Sequence, residues 1–158
     1  MAAVVAMLLT MVACGRADET CTGDDMDIEQ QLDIAQDAAG AAAQALGIEP
    51  TDIEVRDRDG KTALGKDDPS HTVRAFRGLG TIVGVDDDEA AELLDRAQGV
   101  LEDDWSFVPS DSSALSRWSN RGEMTATITI SGADPSGSRN ALAEVTTACV
   151  PTADLPAR

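Results

Sequence analysis

The sequence predicts an α+β protein: a two-layer sandwich in which two helices pack on one face of an antiparallel sheet of four to five strands. Three observations predict it. Apolar residues recur at helical spacing in two separate segments, near 27–46 and 86–101. After Asp104 the apolar period falls to two, and strand-like stretches follow one another with hairpin-length links. Strands joined in that way pair antiparallel, and helices set apart from them in the chain collect on one face of the sheet.

The first helix is expected over Asp27–Leu46, where Ile28, Leu32, Ala35, Ala39, Ala42 and Leu46 form one apolar stripe. Asp24 and Asp25 suit the positive end of the helix dipole, and Gly47 suits its termination. So many alanines make the stripe shallow, fit for close packing on a sheet. Asp52–Arg58, with Ile53 and Val55, predicts a short strand ended by Asp59-Gly60, and Lys66–Ser70, with Pro69, predicts a turn. His71–Val85 (HTVRAFRGLGTIVGV) is rich in β-formers but interrupted by Gly78, Gly80 and Gly84. Two strand pieces, or one long strand with a bulge, would both fit.

The second helix has the clearest signature. Asp86 and Glu89 stand at capping-box spacing, and Ala90, Leu93, Leu94, Ala97, Val100 and Leu101 keep the i, i+3, i+4, i+7 rule. Strands are then expected at Trp105–Val108, Ala114–Ser119, Glu123–Ser131 and Ala141–Val150. In MTATITI, Met124, Ala126, Ile128 and Ile130 alternate with threonines, which buries one face and wets the other. The turn cluster GADPSGSRN at 132–140 joins the last two strands as a hairpin, and Pro151 onward reads as a tail.

The charge balance narrows the partners. Twelve Lys and Arg stand against 29 Asp and Glu, a formal charge of -17. Nucleic-acid binding needs cations to neutralise phosphates, and anionic lipid attracts basic segments, so both are expected to be absent as partners. Arg exceeds Lys ten to two and Tyr is missing. Such bias fits a GC-rich genome, actinobacterial or, on acidity, haloarchaeal.

The amino terminus points to an address. Met1–Ala13 (MAAVVAMLLTMVA) is uncharged and ends at Cys14. Thirteen residues match a signal-peptide core and fall short of the ~20 needed to cross a bilayer as a helix. A cysteine behind such a run, after a small residue, resembles the lipobox of bacterial lipoproteins. The resemblance implies cleavage between Ala13 and Cys14 and a diacylglyceryl group on the Cys14 thiol, two acyl chains being enough for stable anchoring. Met11 stands where the pattern favours Leu, and the early segment lacks Lys and Arg. A start upstream of Met1 would supply that charge. The alternative is an ordinary secretion signal that leaves Cys14 unmodified. On the lipoprotein reading, 1–13 is a signal peptide, 14–25 a lipidated tether, 26–150 one α+β domain and 151–158 a tail. With Cys14 acylated, Cys21 and Cys149 are the remaining thiols, and an oxidising compartment favours pairing them. Two free thiols is the competing reading.

Beyond the lipobox, ALAEVTTACV, the glycine-flanked strand before it, and the helix after GTIVGV are similar to a group of small, functionally uncharacterised lipoproteins from streptomycetes and their relatives. The motif identity lies in Val145–Val150, within a likeness that spans roughly 27–150. Members carry a second cysteine in the first strand, about where His71 or Thr72 stands here, which leaves Cys21 as the substitute partner of Cys149. The resemblance implies a fold and an address and no activity.

Catalytic signatures are faint. His71 is the single histidine, and no G-x-S-x-G elbow presents a serine to it, so a surface strand residue is the expected role. One histidine and cysteines otherwise engaged predict no metal centre. Asp57-Arg58-Asp59-Gly60 looks like part of an EF-hand loop, but Val55 and Lys66 would fall where acids are required. Asp86-Asp87-Asp88 is what a helix start favours. With 29 acids, a carboxylate pair at glycosidase spacing carries no information. Phe76, Trp105, Phe107 and Trp118 are expected as core anchors, with Trp118 the one suspected of exposure. No phosphate loop or dinucleotide fingerprint occurs, and no cofactor is expected. The sequence therefore predicts a non-enzymatic, lipid-anchored extracytoplasmic module. It would bind a protein or small ligand, or act structurally, at the outer face of the cytoplasmic membrane. A small envelope hydrolase and a ligand-delivering lipoprotein are the alternatives, and a secreted protein is the alternative address.

Overall fold

Helix α1 (Ile28–Ala45) starts where an aspartate can cap it: Asp27 Oδ1 accepts from the Glu29 amide at 2.9 Å. It stops at Gly47, whose φ of 81° lies in the left-handed region that glycine enters without strain. Helix α2 (Asp87–Gly99) carries the expected capping box. Asp86 Oδ1 accepts from the Glu89 amide at 2.9 Å, and Glu89 Oε2 accepts from the Asp86 amide at 3.1 Å. A computed structural model describes residue 21 and residues 26–62, 64–101, 104–109 and 115–157. Ala13, Cys14 and the rest of the expected signal and anchor lie outside the described residues.

The sheet is antiparallel throughout. Its strands are β1 (Glu54–Lys61), β2 (Asp67–Val83), β3 (Ser106–Val108), β4 (Ser116–Arg121), β5 (Met124–Ile130), β6 (Ser138–Thr146) and the two-residue β7 (Val150–Pro151). The order is β1-β2-β6-β5-β4-β3, with β7 paired to β2 off that path. Among the described residues, two helices over one face of this sheet make the α+β two-layer fold, with seven strands rather than four to five. One sequence expectation needs correction here. Lys66–Ser70 is not a turn outside the sheet, because Asp67–Ser70 opens β2. Of the two readings of HTVRAFRGLGTIVGV, one long strand with a bulge holds: β2 runs unbroken through Gly78 and Gly80, and its register against β1 shifts near its start.

Those glycines mark where α1 crosses the sheet. A Cβ on Gly78 would sit 2.9 Å from Ala43 Cβ, and one on Gly80 would sit 2.7 Å from Ile48 Cγ1. An alanine-rich helix meets a glycine-containing strand, so the two backbones approach more closely than larger side chains would permit. The predicted strand face is buried: Met124, Ala126, Ile128 and Ile130 are at most 2% exposed. Ile128 and Ile130 pack with Leu93, Leu94 and Ala97 of α2, while Met124 and Ala126 pack with Phe76, Leu101 and Trp105.

Where the apolar stripe ends, arginines take over on the same face. Arg139 and Arg117 are buried, and their guanidinium groups reach Asp87 at 2.6 Å and Asp95 at 2.7 Å on α2. Arg139 also donates to the carbonyls of Val85 and Ser131 at 2.8 and 3.1 Å. Their alkyl stems extend the core while the charged ends pin the helix.

Among the described residues, the other face carries no helix. Glu54, Arg77, Glu144, Thr127, Trp118 and Val108 form one row across β1, β2, β6, β5, β4 and β3. Trp118 is exposed there, as suspected. Phe107, expected in the core, is also exposed, because β3 is a three-residue edge strand too short to be covered.

Candidate functional site

The chemistry-bearing side chains converge where β1, β2 and β7 meet. The cause is a register shift. Asp59 pairs with Thr72, but the next residue, Gly60, pairs with Asp68. Pro69, Ser70 and His71 bulge out of the β1 ladder, while β7 pairs with β2 at His71 and Thr72, through Pro151 and Val150. Pro69, which has no amide to donate, is tolerated because the bulge leaves its position without a partner on β1. The turn chemistry read from the sequence is real, but a bulge houses it.

Within the bulge, Asp68 Oδ1 accepts from the Ser70 amide at 3.0 Å and from the Ser70 hydroxyl at 2.6 Å. Asp68 Oδ2 lies 2.8 Å from His71 Nδ1, and Ser70 Oγ lies 3.0 Å from the same nitrogen. The Ser70 hydroxyl, above all, holds the Asp68 carboxyl below the ordinary carboxylate range; desolvation opposes it, and the Ser70 amide and His71 add to the lowering. A serine, a histidine and an aspartate are thus in contact, yet they do not compose a nucleophilic relay. In such a relay the acid and the serine engage opposite ring nitrogens, whereas here both meet Nδ1.

Against the bulge lies the disulfide. Cys21 and Cys149 are bonded, with Cα atoms 5.0 Å apart. The Cys21 amide donates to the Lys61 carbonyl at 3.1 Å, so Cys21 docks on the end of β1 rather than standing apart as tether. Gly60 makes this possible. A Cβ there would lie 2.7 Å from Cys21 Sγ, closer still to Cys149 Sγ, and 3.1 Å from His71 Cβ. Cys21 Sγ, an Asp68 oxygen and a His71 ring nitrogen fall within 4.8 Å of one another.

Beside this cluster is a cleft of about 520 Å³. Asp57, Asp59, Thr72 and Arg74 line its β1–β2 side, and the segment from Thr152 to Ala157 its other wall. Arg74 grips Asp57 with a two-pronged fork, Nε to Oδ1 at 2.8 Å and Nη2 to Oδ2 at 3.1 Å. Its Nη2 also reaches the Pro156 carbonyl at 3.5 Å. Thr152 Oγ donates to the Pro69 carbonyl at 3.1 Å, which leaves Thr72 as the donor in the 2.7 Å contact between the two threonine hydroxyls. The segment after Pro151, read from sequence as a tail, is a wall of this cleft.

Comparison with protein-family models, with curated proteins and with solved structures finds no match.

Sequence reasoning paired Cys21 with Cys149, as they are bonded here, but placed His71 apart from that pair and missed Asp68, Ser70, Gly60 and Arg74 as their neighbours. The local signal available was Asp-Pro-Ser-His, an Asx-type turn sequence ending in a histidine. Nothing in it pointed to residues 21 or 149.

Proposed function

We propose that this chain is a lipid-anchored extracytoplasmic module, held at the outer face of the cytoplasmic membrane by a diacylglyceryl group on Cys14, with a non-catalytic binding or structural role at the envelope. One observation supports it most. Cys21 and Cys149 occupy each other, so Cys14 is the thiol left over, and it stands directly behind an uncharged run of signal-peptide length. A disulfide also suits an oxidising compartment.

On this reading the bridge sets the leash. Seven residue steps from Cys14 to Cys21 reach at most about 25 Å, at ~3.3–3.6 Å per residue. The disulfide end of the sheet, with the cleft beside it, would then face the lipid surface. A formal charge of -17 would hold the domain off anionic headgroups. The cleft falls within the ~300–1,000 Å³ range of small-molecule sites, but its lining is polar, which favours a polar ligand over an apolar one. The hydrolase alternative loses ground because Ser70 and Asp68 share one nitrogen of His71.

The test is Cys14→Ser in a host that lipidates bacterial lipoproteins. The natural chain should take up a clickable fatty acid and sediment with membranes. The variant should remain unlabelled and either leave the membrane fraction or persist as precursor. A cleaved, unlabelled natural chain released to the medium would establish plain secretion instead.

A further inference from the structure

The cluster at the bulge points to a metal site that is closed while the disulfide is intact. We propose that, once the Cys21–Cys149 bridge is reduced, the two thiolates, the His71 imidazole and the Asp68 carboxylate bind a single tetrahedral divalent ion of the zinc type. This goes beyond the anchored module proposed above and does not require the anchor.

The geometry carries the argument. Cys21 Sγ, a carboxylate oxygen of Asp68 and a ring nitrogen of His71 already lie within 4.8 Å of one another, and Cys149 Sγ is bonded to the first of these. In a tetrahedral zinc centre, with Zn–S near 2.3 Å and Zn–N near 2.0–2.1 Å, neighbouring ligand atoms stand roughly 3.4–3.8 Å apart. Forming it needs the sulfurs to part and Asp68 Oδ2 and His71 Nδ1, now 2.8 Å apart, to open slightly around the ion. The frame is built to hold them. Cys21 is fixed to β1 through the Lys61 carbonyl, His71 is fixed by its pairing with Pro151, and Gly60 keeps the space between the sulfurs and His71 free of a side chain.

The ligands are also of matched chemistry. Two thiolates, one imidazole and one carboxylate form a borderline set that suits zinc better than magnesium or calcium, which take oxygen alone. Asp68 already contacts His71 Nδ1 at 2.8 Å, so an ion entering between them would replace that contact and take both as ligands. Cys149 is buried and Cys21 and His71 are half-buried, so an ion would enter from the Cys21 side.

The redox step balances simply. A dithiol reductant gives two electrons and two protons to the bridge and leaves as its own disulfide, producing two cysteine thiols. The ion then displaces both thiol protons. The bridge and the ion are therefore mutually exclusive occupants of the same two sulfurs, and an oxidant that restores the bridge expels the ion.

The experiment uses the full chain with Cys14→Ser, so that no third thiol contributes. Reduced protein, freed of reductant under anaerobic conditions, is titrated with Co²⁺ and then with Zn²⁺. The expected result is one equivalent bound per chain, with the visible absorption of tetrahedral thiolate-ligated cobalt, a Zn²⁺-dependent rise in melting temperature, and no binding by the oxidised protein. His71→Ala and Asp68→Asn should each weaken Zn²⁺ binding by at least tenfold while keeping the disulfide when oxidised. Reduced protein that binds no stoichiometric ion, or that unfolds and is not restored by Zn²⁺, overturns the proposal. So does equal affinity in the His71→Ala and Asp68→Asn variants, which would mean that two thiolates alone account for binding.

Discussion

Replacing Ile128 with aspartate should unfold the domain, and the structure sets the size of the effect. Ile128 is 2% exposed and packs among Ile130, Leu94, Ala97 and Ala143 between the sheet and α2. Losing those apolar contacts costs about 2–5 kcal/mol, as for large-to-small substitutions in other cores. The new carboxyl adds a second cost. A buried aspartate avoids its charge by taking up a proton, and holding it neutral at pH 7 against an ordinary pKa near 3.9 costs about 4 kcal/mol. The total approaches or exceeds the ~5–15 kcal/mol that stabilises a typical domain. Thr127, the next residue, faces the opposite side and stands across from Glu144 on β6. Thr127→Asp places like charges opposite each other for roughly 0.2–1 kcal/mol, and Thr127→Lys places opposite charges there and should be neutral or slightly stabilising. The assay is urea unfolding of the full chain, followed by tryptophan fluorescence and far-ultraviolet circular dichroism. Ile128→Asp should show no cooperative transition, while both Thr127 variants keep one within about 1 kcal/mol of the natural chain. Small effects at both positions, or greater damage at Thr127, would refute the register of β5 and the burial argument together.

Four further outcomes are expected. Cys149→Ser removes a cross-link between residues 128 apart in sequence, worth up to ~4–5 kcal/mol in the chain-entropy model, so its urea midpoint should fall to that of the reduced natural chain; a midpoint unmoved by reductant would contradict this. Gly80→Val should cost about 1–3 kcal/mol by overpacking against Ile48, and Ile48→Ala in the same chain should recover part of the loss, which a double-mutant cycle measures. Arg139→Met strands the Val85 and Ser131 carbonyls at ~1–3 kcal/mol each, whereas Asp87→Asn, at a side chain 81% exposed, should change stability little; equal losses would argue against the buried fork. Asp134, at the β5–β6 turn, has its carboxyl pKa lowered below 3.8, chiefly by the Ser136 hydroxyl with help from the Ser138 amide. A depressed folded value means the contribution is full above 3.8 and is lost as pH falls through the folded value, so in a nuclear magnetic resonance titration the Ser136 and Ser138 amide shifts should move only at the acid end.

The elements with a strong local period were legible. Ile28 to Leu46 and Ala90 to Leu101 repeat at the helical spacing, and Met124 to Ile130 alternate, because each pattern reports which side of one element meets apolar neighbours. The weak points were positions whose meaning depends on a partner far along the chain. Pro69 reads as a turn until Gly60 is seen to pair with Asp68, which makes 69–71 a bulge inside β2. Gly78 and Gly80 read as breaks until α1 is seen lying on them. Arg117, Arg139 and Ser119, on the buried face of β4 and β6, look like solvated strand residues until α2 presents Asp95, Asp87 and Gln98 to them.

By itself, the sequence determined the two helices with their caps, the alternation of the rear strands, the two-layer class and the acidic surface, since propensity, capping and burial period act within a dozen residues. It also carried the apolar run and the cysteine behind it that suggest an anchor. The pairing of Cys21 with Cys149 was also readable from the three cysteines, whereas tertiary structure alone decided the strand order, the bulge at Asp59 and Gly60, and the meeting of that pair with residues 60, 68 and 71. Long-range pairing sets that meeting: a register shift in one hairpin and a bridge spanning 128 residues bring the groups together, and no local repeat in the chain encodes either.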